Sequence, residues 1–522
     1  MTPALGQPRT LGIFVEAVPP RVTVAVGLVI AVGAALPLLV SVPAPLQDWP
    51  NHLGRVHILD ELLRGVGPWG TFYEFNSFLI PNVALDFGVL ALLRCGMSLA
   101  VAGALFLLAT YALFVTGFTR MSSSFGASHP GTPMLAALLF YNSALFYGLL
   151  NYLAGLGLLF WGIALWIRAK RPALRAGIAI LVAAATFLCH IVSAALLVGL
   201  LGLLDLSTLM HTRKHSVFEN CTSLAAAATV LVLLKLSPTG NDNLFSLAYV
   251  GTESAQGFFY WKASLFLKAL LSGSFWSDII LAAFGATLAL SILATARIGF
   301  SGPELIILMA VTLLPILAPY LVGAGSLLDY RLAPSPFIFA GATARLRWRF
   351  ACGPALVFSV LSLCVIIRSA LLAESWREAR HTYAEADAAF ATLPPRSVLL
   401  AVRGHPLKQV SWADFWTPPV SHLHTLAVQH EVIVPSVFAY RSQQPLALRS
   451  HAQAWSEATD ADTPERLNSV LTRARLLCPN NPGVFVAALY PAPFMKGAAV
   501  RAVNDRLSII DACAPQYGLS EG

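Results

Sequence analysis

The chain has 522 residues, of which 57% are hydrophobic and 11% charged, with a formal net charge of +8. Soluble domains carry about 25% charged residues, so the composition excludes a soluble protein. The apolar runs are continuous rather than alternating, which excludes a barrel in favour of spanning helices. The surplus Lys and Arg sit in short loops, a pattern of membrane orientation and not of nucleic-acid binding.

In chain order, the first apolar run covers 22–43 and follows Arg21. It is longer than a signal-peptide core and lacks a small-x-small cleavage site, so a retained span is expected. No formal charge lies between Val22 and Leu46, and then "PLQDWPNHLGRVHIL" (45–59) brings Asp48, His52, Arg55 and His57 together. Asp48 fits an N-cap, with Pro50 in the first turn of a short helix. His52 follows Asp48 at i+4 and Arg55 follows Asn51 at i+4, so Asp48, Asn51, His52 and Arg55 share one helical face. Leu53, Val56, Ile58, Leu59, Leu62 and Leu63 mark another side, which suits a helix lying in the membrane surface. Two readings stand here. One is a capped interfacial helix with solvated polar residues. The other is a polar site at the bilayer interface, where ionisable groups are functional candidates.

Further spans are expected at 81–94, 98–119, 133–148, 153–167, 175–189, 191–209, 222–236, 279–297, 303–322, 333–344 and 351–372. Within "YNSALFYGLLNYLAGLG" (141–157), Gly148 and Asn151 suggest a turn at the outer surface lining a cavity. His190 in "TFLCHIVSAALL" reads first as a hydrogen-bonded structural residue. Its alternative is a break between two short spans that points the imidazole into the outer cavity. The groups "RAKRPALR" (168–175), "HTRKH" (211–215) and "RLRWR" (345–349) are expected on the cytoplasmic side. That places the N-terminus inside, and "QDWPNHLGR", the loop 237–277 and "GSLLDYRLAPSP" (325–336) outside. In the last of these Arg331 is suited to bind a lipid phosphate and Asp329 to orient it; a local Asp–Arg pair capping a loop is the competing reading. Lys262 and Lys268 are weaker phosphate candidates, because lysines at this depth snorkel to headgroups. Twelve runs cannot join an inside N-terminus to an outside C-terminus, so one segment between 81 and 209 is miscounted and 11 or 13 spans are expected.

After Leu372 the composition turns charged, with short β-prone runs such as "SVLLAV" and "GVFVAALY". The domain plan is therefore a multi-span region, 1–374, whose outer loop 44–80 carries juxtamembrane helices, and a soluble α/β extracytoplasmic domain, 375–522. Cys478 and Cys513 fall in that domain and would pair if it is extracytoplasmic. Cys95, Cys189, Cys352 and Cys364 read as small hydrophobes within spans. "SHLHTLAVQHE" holds His422, His424, His430 and Glu431, but no third ligand at a zinc spacing, so solvent-facing histidines are expected. "DFWTPPVSHLH" and "YRSQQPL" read as loops facing an acceptor. There is no P-loop, no dinucleotide fingerprint, no His-Glu-x-x-His and no Gly-x-Ser-x-Gly.

A first span, then an outer loop opening with Asp48 and an x-x-x-His spacing on a juxtamembrane helix, resembles the GT-C superfamily of integral-membrane glycosyltransferases. "FLIPNVALDFGVLALLR" (78–94) resembles the Pro-initiated second span of its bacterial members. The sequence departs from the commoner Asp-Glu pair, since Trp49 follows Asp48. The resemblance implies a sugar moved from a polyprenyl-phosphate-linked donor to a glycan, lipid or protein acceptor on the outer face of a bacterial inner membrane. It makes Asp48 the base, and His52, Arg55, Asn51, Arg331, Asp329, His190 and Asn151 candidates for holding substrate. It leaves two ways to bear the phosphate charge: a divalent ion (Mg or Mn), or Arg and His alone. A transporter or flippase-like protein, which would show two similar halves, and a non-catalytic scaffold of cell-envelope polysaccharide assembly are the competing classes.

Overall fold

The structure, a computed structural model, describes residues 20–211, 222–241, 246–250, 254–322, 327–404, 421–456, 458–491, 495 and 500–514. Most of "HTRKH" and of "DFWTPPV" lies outside the described residues.

The first apolar run forms α1 (Pro20–Gly33) and α2 (Pro37–Val40), with a proline opening the second piece. The polar stretch then forms α3 (Trp49–Arg64), ended by Gly65 in the left-handed region at φ 70°. There follow α4 (Ala84–Arg94), α5 (Leu99–Ser124), α6 (Thr132–Phe140), the single turn α7 (Ser143–Phe146), α8 (Leu150–Arg168), α9 (Pro172–Cys189) and α10 (Ile191–His211). Next are α11 (Thr222–Leu236), α12 (Ala255–Lys268), α13 (Phe275–Thr295), α14 (Gly302–Leu317), α15 (Leu328–Leu332), α16 (Ser335–Thr343) and α17 (Gly353–Phe390). Among the described residues seven helical stretches are long and apolar enough to cross a membrane, and α11 and α14 are shorter apolar helices. The expected runs 81–94, 133–148 and 333–344 are short pieces, because Pro, Asn and Gly interrupt them. Cys95 and Cys352 lie exposed just beyond helix ends rather than inside spans.

Within the helical region α5 and α8 approach closely. A Cβ on Gly117 would meet the Gly157 carbonyl oxygen at 2.6 Å, the small-residue contact that lets membrane helices pack without a hydrophobic driving force. Phe114, Phe118, Phe140, Phe160 and Phe339 fill the interior between α5, α6, α8 and α16. Large apolar side chains such as Val29, Leu181, Leu224 and Leu290 face outward, the reverse of a soluble bundle. In α17 the fully buried Arg368 is held by three carbonyls: Nη2 donates to Tyr141 (2.9 Å) and Leu270 (2.8 Å), and Nη1 to Leu138 (3.2 Å). It thereby anchors the segment leading into α7.

Short strands tie loops together. They are β1 (Tyr73–Phe75), β2 (Leu247–Ala248), β3 (Ala296–Gly299), β4 (Leu321–Val322), β5 (Arg345–Trp348), β6 (Val398–Arg403), β7 (Leu446–Leu448), β8 (Thr459–Asp460), β9 (Val484–Leu489), β10 (Val500–Asn504) and β11 (Leu507–Asp511). The last part of the chain forms a five-stranded mixed sheet of order β10-β11-β9-β6-β8, with β6 parallel to both β8 and β9 and the other pairs antiparallel. Helix α18 (Pro464–Arg475) and the end of α17 pack on it. Cys478 and Cys513 form a disulfide, their Cα atoms 6.0 Å apart.

The 374/375 boundary expected from composition falls inside the uninterrupted 38-residue α17. The outer loop also enters the C-terminal core. Ile58, Trp69, Phe72 and Tyr73 are buried with the sheet residues, β1 pairs antiparallel with β7, and the Tyr73 hydroxyl donates to the Val434 carbonyl.

Candidate functional site

A cavity of about 900 Å³ lies where the outer loop, the start of α8, the α9–α10 junction, α15 and the segment 438–456 meet. Asp48, His52, Asn151, His190 and Arg331 line it, together with Asn82, Tyr152, Tyr440, Arg441, Gln443, Gln444, Gln453 and Ser456. Five of the eight residues expected to act are thus brought together.

Asp48 is pinned by backbone rather than by a cap. Gln47 N–H donates to the Phe146 carbonyl (3.0 Å), and Asp48 N–H to the Tyr147 carbonyl (3.2 Å). This turn needs Gly148, which sits at φ 81° and whose Cβ, if present, would meet Asp48 N at 2.9 Å. Asp48 occupies the position before α3, but its carboxylate makes no capping hydrogen bond. It faces His422, with Oδ1 at 3.4 Å from Nε2. That corrects two expectations, a capping Asp48 and a solvent-facing His422.

His52, one turn on, is buried to 6% exposure. Burial first, then the charges of Arg55 and His422, hold its imidazole well below its ordinary pKa, while a hydrogen bond to the Gly148 backbone opposes them. His52 is therefore neutral at pH 7. Phe438 stands edge-on to both His52 (5.7 Å) and His422 (5.0 Å).

The shared polar face of α3 is divided among three neighbours. Asp48 and His52 face the cavity. Asn51, fully buried, turns to the C-terminal region: Nδ2 donates to the Ser436 carbonyl (3.3 Å) and lies 3.1 Å from His422 Nδ1, while Oδ1 accepts from Phe438 N–H (2.6 Å). Arg55 does not reach the cavity. It makes a two-pronged pair with Asp86 of α4, Nε to Oδ1 at 2.8 Å and Nη2 to Oδ2 at 2.9 Å, both residues fully buried. Seven residues along a helix is roughly 10 Å, so Arg55 shares the direction of Asp48 but not its depth.

Asp329 departs from expectation as well. It is fully buried and accepts from Lys262 Nζ (2.8 Å) and Trp261 Nε1 (2.9 Å), facing α12 rather than Arg331. Lys262 is thereby consumed in a buried pair. Arg331 lines the cavity from the next turn, and the Tyr152 hydroxyl donates to its carbonyl (2.8 Å). Burial lowers the pKa of the Arg331 guanidinium somewhat, and the Asp48 charge acts to restore it; an arginine stays protonated regardless.

His190 is the residue between α9 and α10, extended at φ −167° and ψ 133°, so the helix breaks there and the ring joins the cavity wall. Its Nδ1 accepts from Val192 N–H (3.1 Å), which leaves the ring proton on Nε2. Asn151 holds the loop before α4: Oδ1 accepts from Leu85 N–H (2.7 Å), and Nδ2 donates to Asn82 Oδ1 (2.7 Å) and the Asn82 carbonyl (2.9 Å). Its amide thus supports the wall. None of the three histidines of the C-terminal motif lines the cavity, and His422 meets it only through Asp48. His424 is buried against the Ser436 hydroxyl (2.8 Å), its pKa pushed down to about 3 by burial first and then by His422 and Arg403. His430 pairs with Asp387 at 2.8 Å.

The residues that sequence reasoning missed come from 438–456, where amides and hydroxyls of Tyr440, Ser442, Gln443, Gln444, Gln453 and Ser456 line the wall. "YRSQQPL" was the one signal, as a loop facing an acceptor. Arg441 also lines it and pairs with Glu74 of β1. Asp48 is the single carboxylate among the lining residues, and among the described residues no three His, Cys, Asp or Glu converge on a metal position.

No protein-family model matches the sequence, and no curated protein matches it. Solved structures do. The chain is similar to ArnT from Cupriavidus metallidurans bound to undecaprenyl phosphate, at 11% identity and a TM-score of 0.50, over 95% of this chain and 99% of that one. The apo state of the same ArnT is similar at 12% identity and a TM-score of 0.49, with the same coverage. ArnT is a GT-C glycosyltransferase. The chain has the GT-C fold. In it, the first outer helix and the C-terminal sheet region close over the spanning helices, and the cavity described above lies between them.

Proposed function

We propose that the chain is an integral-membrane glycosyltransferase that moves a sugar from a polyprenyl-phosphate-linked donor to an acceptor hydroxyl, with Asp48 as base. The observation that carries this reading is that Asp48 and Arg331 line one cavity in a fold similar to a protein crystallised with undecaprenyl phosphate. In the proposed reaction the acceptor oxygen attacks the anomeric carbon as the bond from that carbon to the phosphate oxygen breaks. The hydroxyl proton passes to the Asp48 carboxylate. The electron pair leaves with the phosphate, whose growing charge Arg331 faces. Neutral His52 and the Nε2–H of His190 offer further hydrogen bonds, and the amide- and hydroxyl-rich wall 440–456 suits the hydroxyls of a sugar or acceptor.

The same reading places 375–522 outside the inner membrane and the N-terminus in the cytoplasm. The Cys478–Cys513 disulfide supports it, since such bonds persist in oxidising compartments. So does the arginine cluster around β3 and β5 (Arg297, Arg345, Arg347, Arg349), at the end of α17 opposite the sheet.

The test is transfer from a synthetic polyprenyl-phosphate sugar by purified protein. Asp48→Asn is expected to lower the rate by about 10²–10⁴-fold, the usual worth of a general base, with purification yield and unfolding temperature unchanged. A variant with full activity would remove Asp48 from the reaction.

A further inference from the structure

The Asn51 amide is fixed at both ends. Its Oδ1 accepts from a backbone N–H, that of Phe438 at 2.6 Å, so its Nδ2 must be the group facing the Ser436 carbonyl at 3.3 Å and His422 Nδ1 at 3.1 Å. A donor at that position makes His422 Nδ1 an acceptor and puts the ring proton on Nε2. Nε2 is the atom that lies 3.4 Å from Asp48 Oδ1. The Asn51 amide thus donates to His422, and the protonated Nε2 of that ring faces the Asp48 carboxylate, at a distance slightly beyond a made hydrogen bond.

We infer that His422, carried by the C-terminal region, is a positioning residue for Asp48: held by Asn51 as its Nε2–H tautomer, it faces one carboxylate oxygen and leaves the other for the acceptor hydroxyl. This rests on the reading of Asp48 as the base. Because Nε2 already carries a proton, His422 is not the proton's destination. It acts by orienting the carboxylate and presenting a donor to it, as the third group of a catalytic triad orients its neighbour. The consequence is that the site is incomplete without the C-terminal region: one carboxylate comes from the first outer loop, and the group that sets it comes from residues more than 370 positions later, Asn51 and His422 being 371 apart. The ionisable groups facing this pair are His52 and His424 beside the imidazole, with Arg403 beyond His424, and Arg331 and Tyr147 beside the carboxylate.

His422→Phe keeps an aromatic ring beside Phe438 and removes both the hydrogen bond from Asn51 and the polar contact with Asp48. It is expected to lower kcat by about 10–100-fold, less than the roughly 10²–10⁴-fold worth of the acid–base group itself, with the donor KM little changed and the acid limb of the pH–kcat profile moved to higher pH. Asn51→Leu is expected to move the limb the same way, and His422→Gln, which can donate to Asp48, to restore it. A His422→Phe enzyme slowed by one constant factor at every pH, with the limb in place, would show a merely structural histidine and overturn the inference. Asp48→Asn run alongside separates the two levels. If that variant keeps full activity, the reading of the base fails; if it is dead while the His422→Phe limb stays put, only the positioning role fails. Nitrogen-15 histidine spectra of the full chain in nanodiscs give a readout that needs no turnover. The signal lost in His422→Phe should report an Nε2-protonated ring, and an Nδ1-protonated ring there would equally overturn the proposal.

Discussion

Arg55 and Arg331 carry the same side chain and were expected to do the same work, yet they live in opposite surroundings. Arg55 is sealed between α3 and α4 with both Asp86 oxygens taken. Arg331 lines an open cavity across from Asp48. The difference is one of neighbours rather than of chemistry. A guanidinium that meets a carboxylate in a dry helix interface becomes structure, and one on a cavity wall stands where a bound anion would meet it.

The comparison breaks most visibly at Arg55. Arg55→Leu leaves Asp86 buried without its partner, and breaking such a pair costs about 3–5 kcal/mol. The expected result is a large fall in unfolding temperature in detergent. Most of it should be recovered in the double variant with Asp86→Leu, since replacing both partners by apolar groups is near neutral. If the single variant is as stable as the parent, the pair is not the clamp between α3 and α4 described here.

Arg331→Gln should do the converse. Removing one preorganised charge from a developing anion costs about 10²–10³ in kcat, roughly 3–4 kcal/mol of transition-state stabilisation. The unfolding temperature should hardly move. Activity and stability measured on the two arginine variants therefore separate cleanly, and a stable, fully active Arg331→Gln would leave the leaving phosphate to some other group.

The histidines repeat the contrast at a smaller scale, with His424 sealed and His422 at the site. With a folded pKa of about 3 against an unfolded value near 6.5, His424 binds its proton more readily in the unfolded chain. Its contribution to stability is complete above about pH 6.5 and is lost as pH falls towards 3, about 2 kcal/mol of it by pH 5. Buried His52 acts in the same direction. Unfolding midpoints measured between pH 7 and 5 should fall with pH, and His424→Gln should flatten the slope; an unchanged slope would place the titration elsewhere.

The spanning helices and the change of character after Leu372 were legible because each is written in local composition. So was the membership of Asp48, His52, Asn151, His190 and Arg331 in one cavity, because the turn at Gly148 and the break at His190 are local backbone events. What was not legible depends on pairing over long separations. Nothing near Arg55 announces Asp86, 31 residues on. His422 looks like any surface histidine until Asn51, 371 residues earlier, is laid against it. Asp329 follows the same rule: Arg331 is its neighbour in sequence, but Lys262 and Trp261 are its neighbours in space. Helical period assigns direction around an axis, and it assigns neither depth nor partner.

The smallest effect decides the oldest ambiguity. An aspartate before a helix that begins Trp-Pro has the sequence of an N-cap, and losing a true cap to alanine costs about 1 kcal/mol. Here the Asp48 side chain makes no capping bond, and the first turn is held instead by backbone bonds to the 146–148 turn and from His52 N–H to the Asp48 carbonyl (3.0 Å). Asp48→Ala should therefore cost less than the about 1 kcal/mol of a true cap, while lowering transfer by about 10²–10⁴-fold. A loss of about 1 kcal/mol with transfer intact would mean the reverse: that the carboxylate secures α3 and that the cavity's chemistry begins at another residue.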